Sequence, residues 1–486
     1  MSKNKRKELL EKREKVAKDV DIAQLMKKSY LEFAVASYMR MIPNAIDGLK
    51  PSQRRILFTM KNMKADDFTK SADIVGQSMQ LIPHGDSSIY QTLIYMAQPD
   101  RCRNTLVKGQ GNIGYITQSL SEYAAARYTE AKMTDYLKDF YFTEDFEFTD
   151  MEMTYKGLPN VLEPVFLPTL LPMVLINGTN GITSGFSTRV VPHTLKSVAK
   201  AYIDYIKNRE DVAGWHKMEK RIIRGVKVDF PNPCKIVKNS ENGLLLGKGK
   251  LTARGELKVE PGSRGKNTIV ITELPYMVEI PKFVEQCYSI FNKDNRLYGI
   301  LDESGKEGVL INIVLKKDVP VEKAIDELLI KTSFMTSYNY SMLFIKGQEV
   351  VRMGILPLFE HHYQNKKRVL TKYFLFKKED LFKKKICLDG AIYILGNKER
   401  RDEFIKMLER SDKETILNKI KRKWKLEESV GEYLINKKFS SLLKGVEDMK
   451  KEQLRISEEY EKVLYILNNI DEYMIDKIST TVKKYR

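Results

Sequence analysis

The chain has 486 residues, of which 42% are hydrophobic and 10% aromatic, enough apolar material for three or four packed units and too much for a disordered chain. Lysine and arginine number 83 against 64 acids, a net charge of +19, which favours a polyanionic partner, nucleic acid ahead of a membrane surface. No run of about 18 apolar residues argues for a membrane span, and four scattered cysteines and five histidines make neither a CxxC pair nor a metal-ligand pattern.

The N-terminus, MSKNKRKELLEKREKVAKDV, is a basic arm that lacks the apolar stretch of a signal peptide. Together with the scattered thiols this gives the expectation of a soluble cytoplasmic protein. DIAQLMKKSYLEFAVASYMRMIP then carries apolar residues at helical spacing and should stop at Pro43. From there to about 155, helices alternate with glycine-rich loops.

The first such segment, IDGLKPSQRRILFTM (Ile46 to Met60), opens with a turn and places Pro51 in the first turn of a helix. Lys50, Arg54 and Arg55 then cluster near free backbone N–H groups, an arrangement suited to phosphate, although a solvated basic turn reads equally well. In IPHGDSSIYQTLIYMAQP (Ile82 to Pro99), Asp86 or Ser87 caps a helix whose buried face is Ile89, Leu93 and Met96. His84, Ser87 and Gln91 would point outward, as in helix-turn-helix and winged-helix modules; a lone histidine is otherwise most often structural.

KGQGNIGYITQ (Lys108 to Gln118) is a loop whose glycines either cradle phosphate or permit tight turns. Shortly after, AAARYTE combines three helix-favouring alanines with a cation and a phenol, Arg127 and Tyr128, the latter ten residues beyond Gln118, and leaves open whether that phenol packs or attacks. VLINGTNGITSGFSTRVVPH (Val174 to His193) reads as another loop, with Ile182 near its tip, either wedged between bases or turned into the core.

Between about 225 and 315 the texture changes to strand-like runs such as NTIVITELPY and GVLINIVL. The C-terminal third is lysine-rich and helical. From Leu442, Val446, Met449, Ile456, Tyr460, Val463, Leu467, Ile470 and Met474 recur with a period of 3.5, a coiled-coil seam interrupted only at Gln453. A weaker stripe, Leu370, Phe374, Leu381 and Leu388, precedes a compact stretch from about 390 to 440, so the two helices and insert form a stalk with a terminal knob, or an ordinary bundle.

In this order the strings DGLKPSQRR, PHGDS, MAQP, GQGN.G, AAARYTE, NG.NGI and ITELPY resemble the A subunits of DNA gyrase and topoisomerase IV, the breakage-reunion subunits of type IIA DNA topoisomerases. The resemblance runs from about residue 22 to the C-terminus and is faint after about 350.

It implies an α+β, mostly helical, multidomain chain. The expected order is a basic arm (1–28), a winged-helix domain carrying the tyrosine (29–155) and an α/β tower domain (156–350). Two coiled-coil stalk helices (351–394 and 441–486) then flank a helical exit-gate dimerisation region (395–440). The resemblance further implies Tyr128 as the nucleophile on DNA, with Arg127 its neighbouring phosphate ligand. Arg40, Lys50, Arg54, Arg55 and His84 would line the DNA, Ser87 would fall at the drug-contacting serine, and Ile182 would be the bending wedge.

Adjacent cations would lower the phenol's pKa from about 10 and stabilise transition-state charge. No acidic cluster for a metal stands out, so Mg2+ and ATP are expected on a separate B-type subunit. The implied assembly on double-stranded DNA is a homodimer of this chain with B-type subunits. Three departures are evident: Ile82 replaces a usual histidine, Gln91 replaces a usual acid, and the sequence reaches Arg486 without a wrapping pinwheel or a QRRGGKG-like box. The last feature gives the expectation of a short, phage- or plasmid-type form that relaxes and decatenates rather than supercoils.

Overall fold

The structure is a computed structural model and describes residues 21–114, 123–154, 161–211, 213–261, 266–305, 308–317, 319–436 and 446–485. The basic arm lies outside these as far as residue 20, as do residues 115–118 of the glycine-rich run and Leu442 of the C-terminal repeat. Helix accounts for 54% of the described residues, and the strands form several small antiparallel sheets, the mixed, mainly helical build that the sequence leads one to expect.

Helix α1 (Ile22–Met41) begins at Asp21, whose carboxylate accepts from the Ala23 N–H, and ends before Pro43. The last part of the expected arm is therefore helical. The apolar stripe of α1 is not packed over its first part, where Ile22, Leu25, Met26, Tyr30, Leu31 and Phe33 all remain exposed, while Tyr38 and Met39 near its end pack against Leu343 and Ile345. Helical spacing specified the helix but not a burial partner for it.

Helix α2 (Pro51–Asn62), strand β1 (Thr69–Lys70), helices α3 (Ser71–Ser78) and α4 (Asp86–Ala97), and strands β2 (Val107–Gln110) and β3 (Glu130–Met133) form one packed unit. Ile56, Ile74, Ile89, Leu93, Val107 and Met133 meet in its interior, each burial contributing roughly 1.5–3 kcal/mol. The sheet order is β1-β3-β2, so the strand following the tyrosine is central. α4 starts one residue earlier than expected, with Gly85 as its cap. Asp86 lies inside the first turn, accepting from the Ser87 N–H at 2.8 Å. α4 ends at Ala97, before Gln98-Pro99, as the proline requires.

The segment expected to be a loop around Ile182 is a β-hairpin, Thr179–Thr183 against Phe186–Val190. Its two-residue turn uses Gly185 at φ +82°, and Ile182 stands 70% exposed beside that turn. The hairpin is one edge of a five-stranded sheet completed by Met335–Ser341, Lys248–Arg254 and, at the far edge, Lys235–Asn239. Strand structure therefore spreads well beyond the expected 225–315 window. A separate four-stranded sheet has its own core: Ile269, Ile271, Ile311 and Ile313 pack on Phe283, Phe291 and Leu328 of two helices.

The two long C-terminal helices pack along each other. Helix Ile355–Leu395 buries Leu370, Phe374, Leu381 and Leu388, and helix Val446–Asn468 buries Met449, Ile456 and Val463. Lys377 pairs with Glu459 at 2.9 Å, and Gln453, the interruption in the repeat, bonds Asp389. The second helix is not continuous: it breaks at Asn469 and resumes as Ile470–Lys483, which packs on helix Leu195–Asn208. Among the described residues, three short helices, Lys398–Arg410, Lys413–Trp424 and Glu428–Asn436, make the knob.

Buried polar groups fix the base of the stalk. Lys366 is 2% exposed, and its ammonium reaches Asp145 (2.8 and 3.0 Å), Thr143 (3.0 Å) and the Pro168 carbonyl (2.8 Å). Asp471 accepts from Tyr363 (2.6 Å), Lys367 (3.0 Å) and Arg209 (2.9 Å).

Candidate active site

The segment AAARYTE does not continue as a helix despite its alanines. Only a single 3-10 turn forms, Ala126–Tyr128, before the chain enters β3. Tertiary pairing with β1 and β2 overrides the local propensity. The turn is anchored from below. The Tyr90 hydroxyl of α4 donates to the Ala124 carbonyl at 2.5 Å and lies 2.8 Å from the Thr129 hydroxyl, which donates to Ser71 of α3 at 2.9 Å. Burial raises the pKa of Tyr90, keeping that phenol a proton donor.

Gly111 of the GQGNIG run sits at φ +93°, and a Cβ there would come within 2.9 Å of the Tyr128 carbonyl oxygen. The glycine is thus used to let backbone approach backbone behind the tyrosine. In front, Tyr128 is 66% exposed, and the Arg127 guanidinium carbon lies 4.7 Å from its ring centroid. A fixed backbone carrying an accessible phenol beside a cation is the geometry a tyrosine nucleophile needs.

The other expected residues divide into two groups. Arg40, Arg54, Arg55 and His84 line one cavity of about 620 Å3 between α1, α2 and the loop before α4. Tyr128, Arg127, Ser87, Lys50 and Ile182 do not line it. Arg40 is exposed and His84 half-buried. The two arginines of α2 are committed elsewhere. Arg54 is 8% exposed and grips Asp47 through Nε (2.6 Å) and Nη2 (3.1 Å). Arg55 holds Glu163 at 2.5 and 2.7 Å.

Lys50 is the residue before α2, and its ammonium donates to the Asn180 carbonyl of the β-hairpin at 2.7 Å; burial pushes its pKa down. In the free chain these three cations position α2 and the hairpin instead of facing solvent. Ser87 is exposed on the first turn of α4, one turn before the likewise exposed Gln91, which bonds Tyr95 at 2.8 Å. Ile82 is a core residue, 2% exposed, so that position presents no polar group.

Sequence reasoning missed several partners. Asp47 also accepts from the Leu49 and Leu167 N–H groups (2.9 and 3.0 Å), and its place in an Asp-Gly turn was the available signal. Glu163, 108 residues from Arg55, had none. A groove of about 950 Å3 on the five-stranded sheet, lined by Lys238, Lys248, Lys250 and Arg352 and by no acid, was likewise hidden, since Lys238 and Arg352 come from other strands than the one that carries Lys248 and Lys250. Among the described residues no group of three or more His, Cys, Asp or Glu side chains could hold a metal ion, and no helix is long and apolar enough to cross a membrane.

The DNA gyrase A subunit of Rickettsia felis is 37% identical over 337 residues, covering 67% of this chain and 36% of the relative. Those of Haemophilus influenzae and Salmonella typhimurium are 31% and 32% identical over 403 and 390 residues, covering 79% and 78% of this chain. The chain spans less than half the length of these relatives, 45% and 43% for the last two. Residues 40–479 match the family model for the A subunits of DNA gyrase and topoisomerase IV. With that match extending over nearly the whole chain, from α1 to the last helix, the protein belongs to the DNA gyrase/topoisomerase IV A-subunit family.

Proposed function

We propose that this chain is the DNA cleavage-rejoining subunit of an ATP-dependent type IIA topoisomerase. The observation that carries the reading is Tyr128, exposed on a hydrogen-bonded, glycine-backed turn with Arg127 against its ring. In the reaction the Tyr128 phenolic oxygen attacks a backbone phosphorus. A P–O(Tyr) bond forms, the P–O3′ bond breaks, the phenol gives up its proton and the departing 3′ oxygen gains one. One phosphoester replaces another, so resealing by the 3′ hydroxyl needs no outside energy. Arg127 neutralises charge that develops on the phosphoryl oxygens.

On this reading the three-helix, three-strand unit is the winged-helix domain. Arg40, His84 and Ser87 face the DNA, while Lys50, Arg54 and Arg55 set the elements that hold it. Ile182, carried at the end of a hairpin, wedges and bends the duplex. The sheets up to about residue 350 form the tower, and the knob the exit-gate dimer contact. On this reading Mg2+ and ATP belong to a B-type partner, which works with a homodimer of this chain on cytoplasmic DNA.

The test is to denature a mixture of chain, partner, Mg2+ and plasmid and to look for protein on 5′ ends. Tyr128→Phe should abolish the adduct and leave binding intact. An adduct on any other residue overturns the assignment. Relaxed and unlinked circles are the expected products, whereas negatively supercoiled product from relaxed plasmid would assign wrapping to the assembly. The buried Ile82 favours one rival, an architectural protein that bends DNA without turnover, which the same experiment would reveal as binding without adduct.

A further inference from the structure

The knob carries a charged feature that strand cleavage does not use. The successive helices Lys398–Arg410 and Lys413–Trp424 bury Phe404, Met407, Ile416 and Ile420 in the knob. The side chain of Asn397 caps the first helix and that of Asp412 the second. Along the seam runs a groove of about 550 Å3 lined by Lys406, Arg410, Lys419, Arg422 and Lys423. Its one acid, Glu403, is occupied by Lys423. Lys419 reaches only the Ser411 hydroxyl, at 3.2 Å, and among the described residues Lys406, Arg410 and Arg422 have no carboxylate partner.

Cations in a last helical turn are commonly explained by the helix dipole, worth about 0.3–1 kcal/mol each. That accounts for Arg422 and Lys423 on the second helix. It does not account for Lys406 and Lys419, which precede the last turns of their helices and converge on the same groove. Lys423 being paired with Glu403, the other four cations, carried on two capped helices, repel one another, and the repulsion is relieved when a polyanion enters. Long cations projecting from rigid helices, with no aromatic platform among the lining residues, suit a phosphate backbone.

We propose that this groove is a second duplex-DNA contact, on the knob and separate from the tyrosine site, which grips the phosphate backbone without reading sequence. The choice of DNA over other polyanions rests on the function proposed above; the anion-binding character rests on the groove itself.

Lysine acetylation footprinting of the full chain, free and with a saturating linear duplex, tests it. Lys406 and Lys419 should lose reactivity several-fold, while Lys421, exposed on the same helix pair but outside the groove, should not. The triple variant Lys406→Gln/Arg410→Gln/Arg422→Gln should lower the slope of log K against log salt by about 2–3, at ~0.9 for each phosphate no longer neutralised. Duplex binding with Lys406 and Lys419 still fully reactive, or a triple variant that changes only thermal stability, would overturn the groove and leave the cleavage reading standing. A chain that binds no duplex at any salt would overturn both.

Discussion

Two buried histidines make stability strongly dependent on mild acid. His362, at the base of the stalk, uses both ring nitrogens. Thr169 donates its hydroxyl hydrogen to the Ile46 carbonyl, so its oxygen accepts from Nε2–H at 3.0 Å, and Nδ1 accepts from the Tyr202 hydroxyl at 2.7 Å. His193 donates Nδ1–H to the Leu175 carbonyl at 2.8 Å. The accepting Nδ1 makes the His362 ring neutral, and burial keeps that of His193 so. Burial, with Lys366 nearby, holds His362 down to about 3, and burial holds His193 down to about 4, against an ordinary 6.5.

A depressed basic pKa means that the stability is complete above pH 6.5 and is lost as pH falls toward the folded values. Each unit costs about 1.4 kcal/mol per ring, so the two together should cost about 4 kcal/mol by about pH 5. That is a large share of the roughly 5–15 kcal/mol typical of a folded protein. Asp150 does not blur this window. The Arg368 guanidinium beside Asp150 holds it to about 2, so its contribution falls only below its ordinary 3.8. Urea midpoints between about pH 7.5 and pH 5 measure the loss, and histidine C2 hydrogen exchange read by mass spectrometry assigns it. A flat stability profile, or either ring titrating near its ordinary value in the folded chain, would refute the reasoning.

Lys366→Met should cost about 3–5 kcal/mol by stranding the buried Asp145, with Lys366→Met/Asp145→Leu recovering much of it, both read by chemical denaturation. Gly111→Ala should push the Tyr128 carbonyl and cut adduct formation about 10- to 100-fold, while a small shift in melting temperature shows that the fold survives. Lys50→Met separates phosphate contact from hairpin anchoring: an anchor leaves the salt slope of DNA binding unchanged and reduces bending by fluorescence transfer, whereas a phosphate contact lowers the slope by ~0.9. Ile182→Ala should reduce the bend without loss of stability, because its side chain is 70% exposed.

Local chemistry was legible in the sequence wherever one residue type allows only one backbone. Pro43, Pro51 and Pro99 set the limits of α1, α2 and α4, and the 3.5-residue period located the stalk down to its buried Met449, Ile456 and Val463. Tyr128 and Arg127 were singled out by resemblance alone, and both are exposed. The alanines before them misled, because a three-residue propensity of a few tenths of a kcal/mol yields to a central-strand ladder.

What only the tertiary structure decided was the commitment of charge. Sequence marks Lys50, Arg54 and Arg55 as cations. It does not show that Asn180, Asp47 and Glu163 claim them, since two of those partners lie more than a hundred residues away. Nor does it show that the first part of α1 keeps its apolar face uncovered, or that lysines from different strands and helices converge on acid-free and acid-poor grooves. Periodicity and turn chemistry act over a few residues and are written locally. Pairing and electrostatic fields depend on distances in space, which the chain sets only once it has folded.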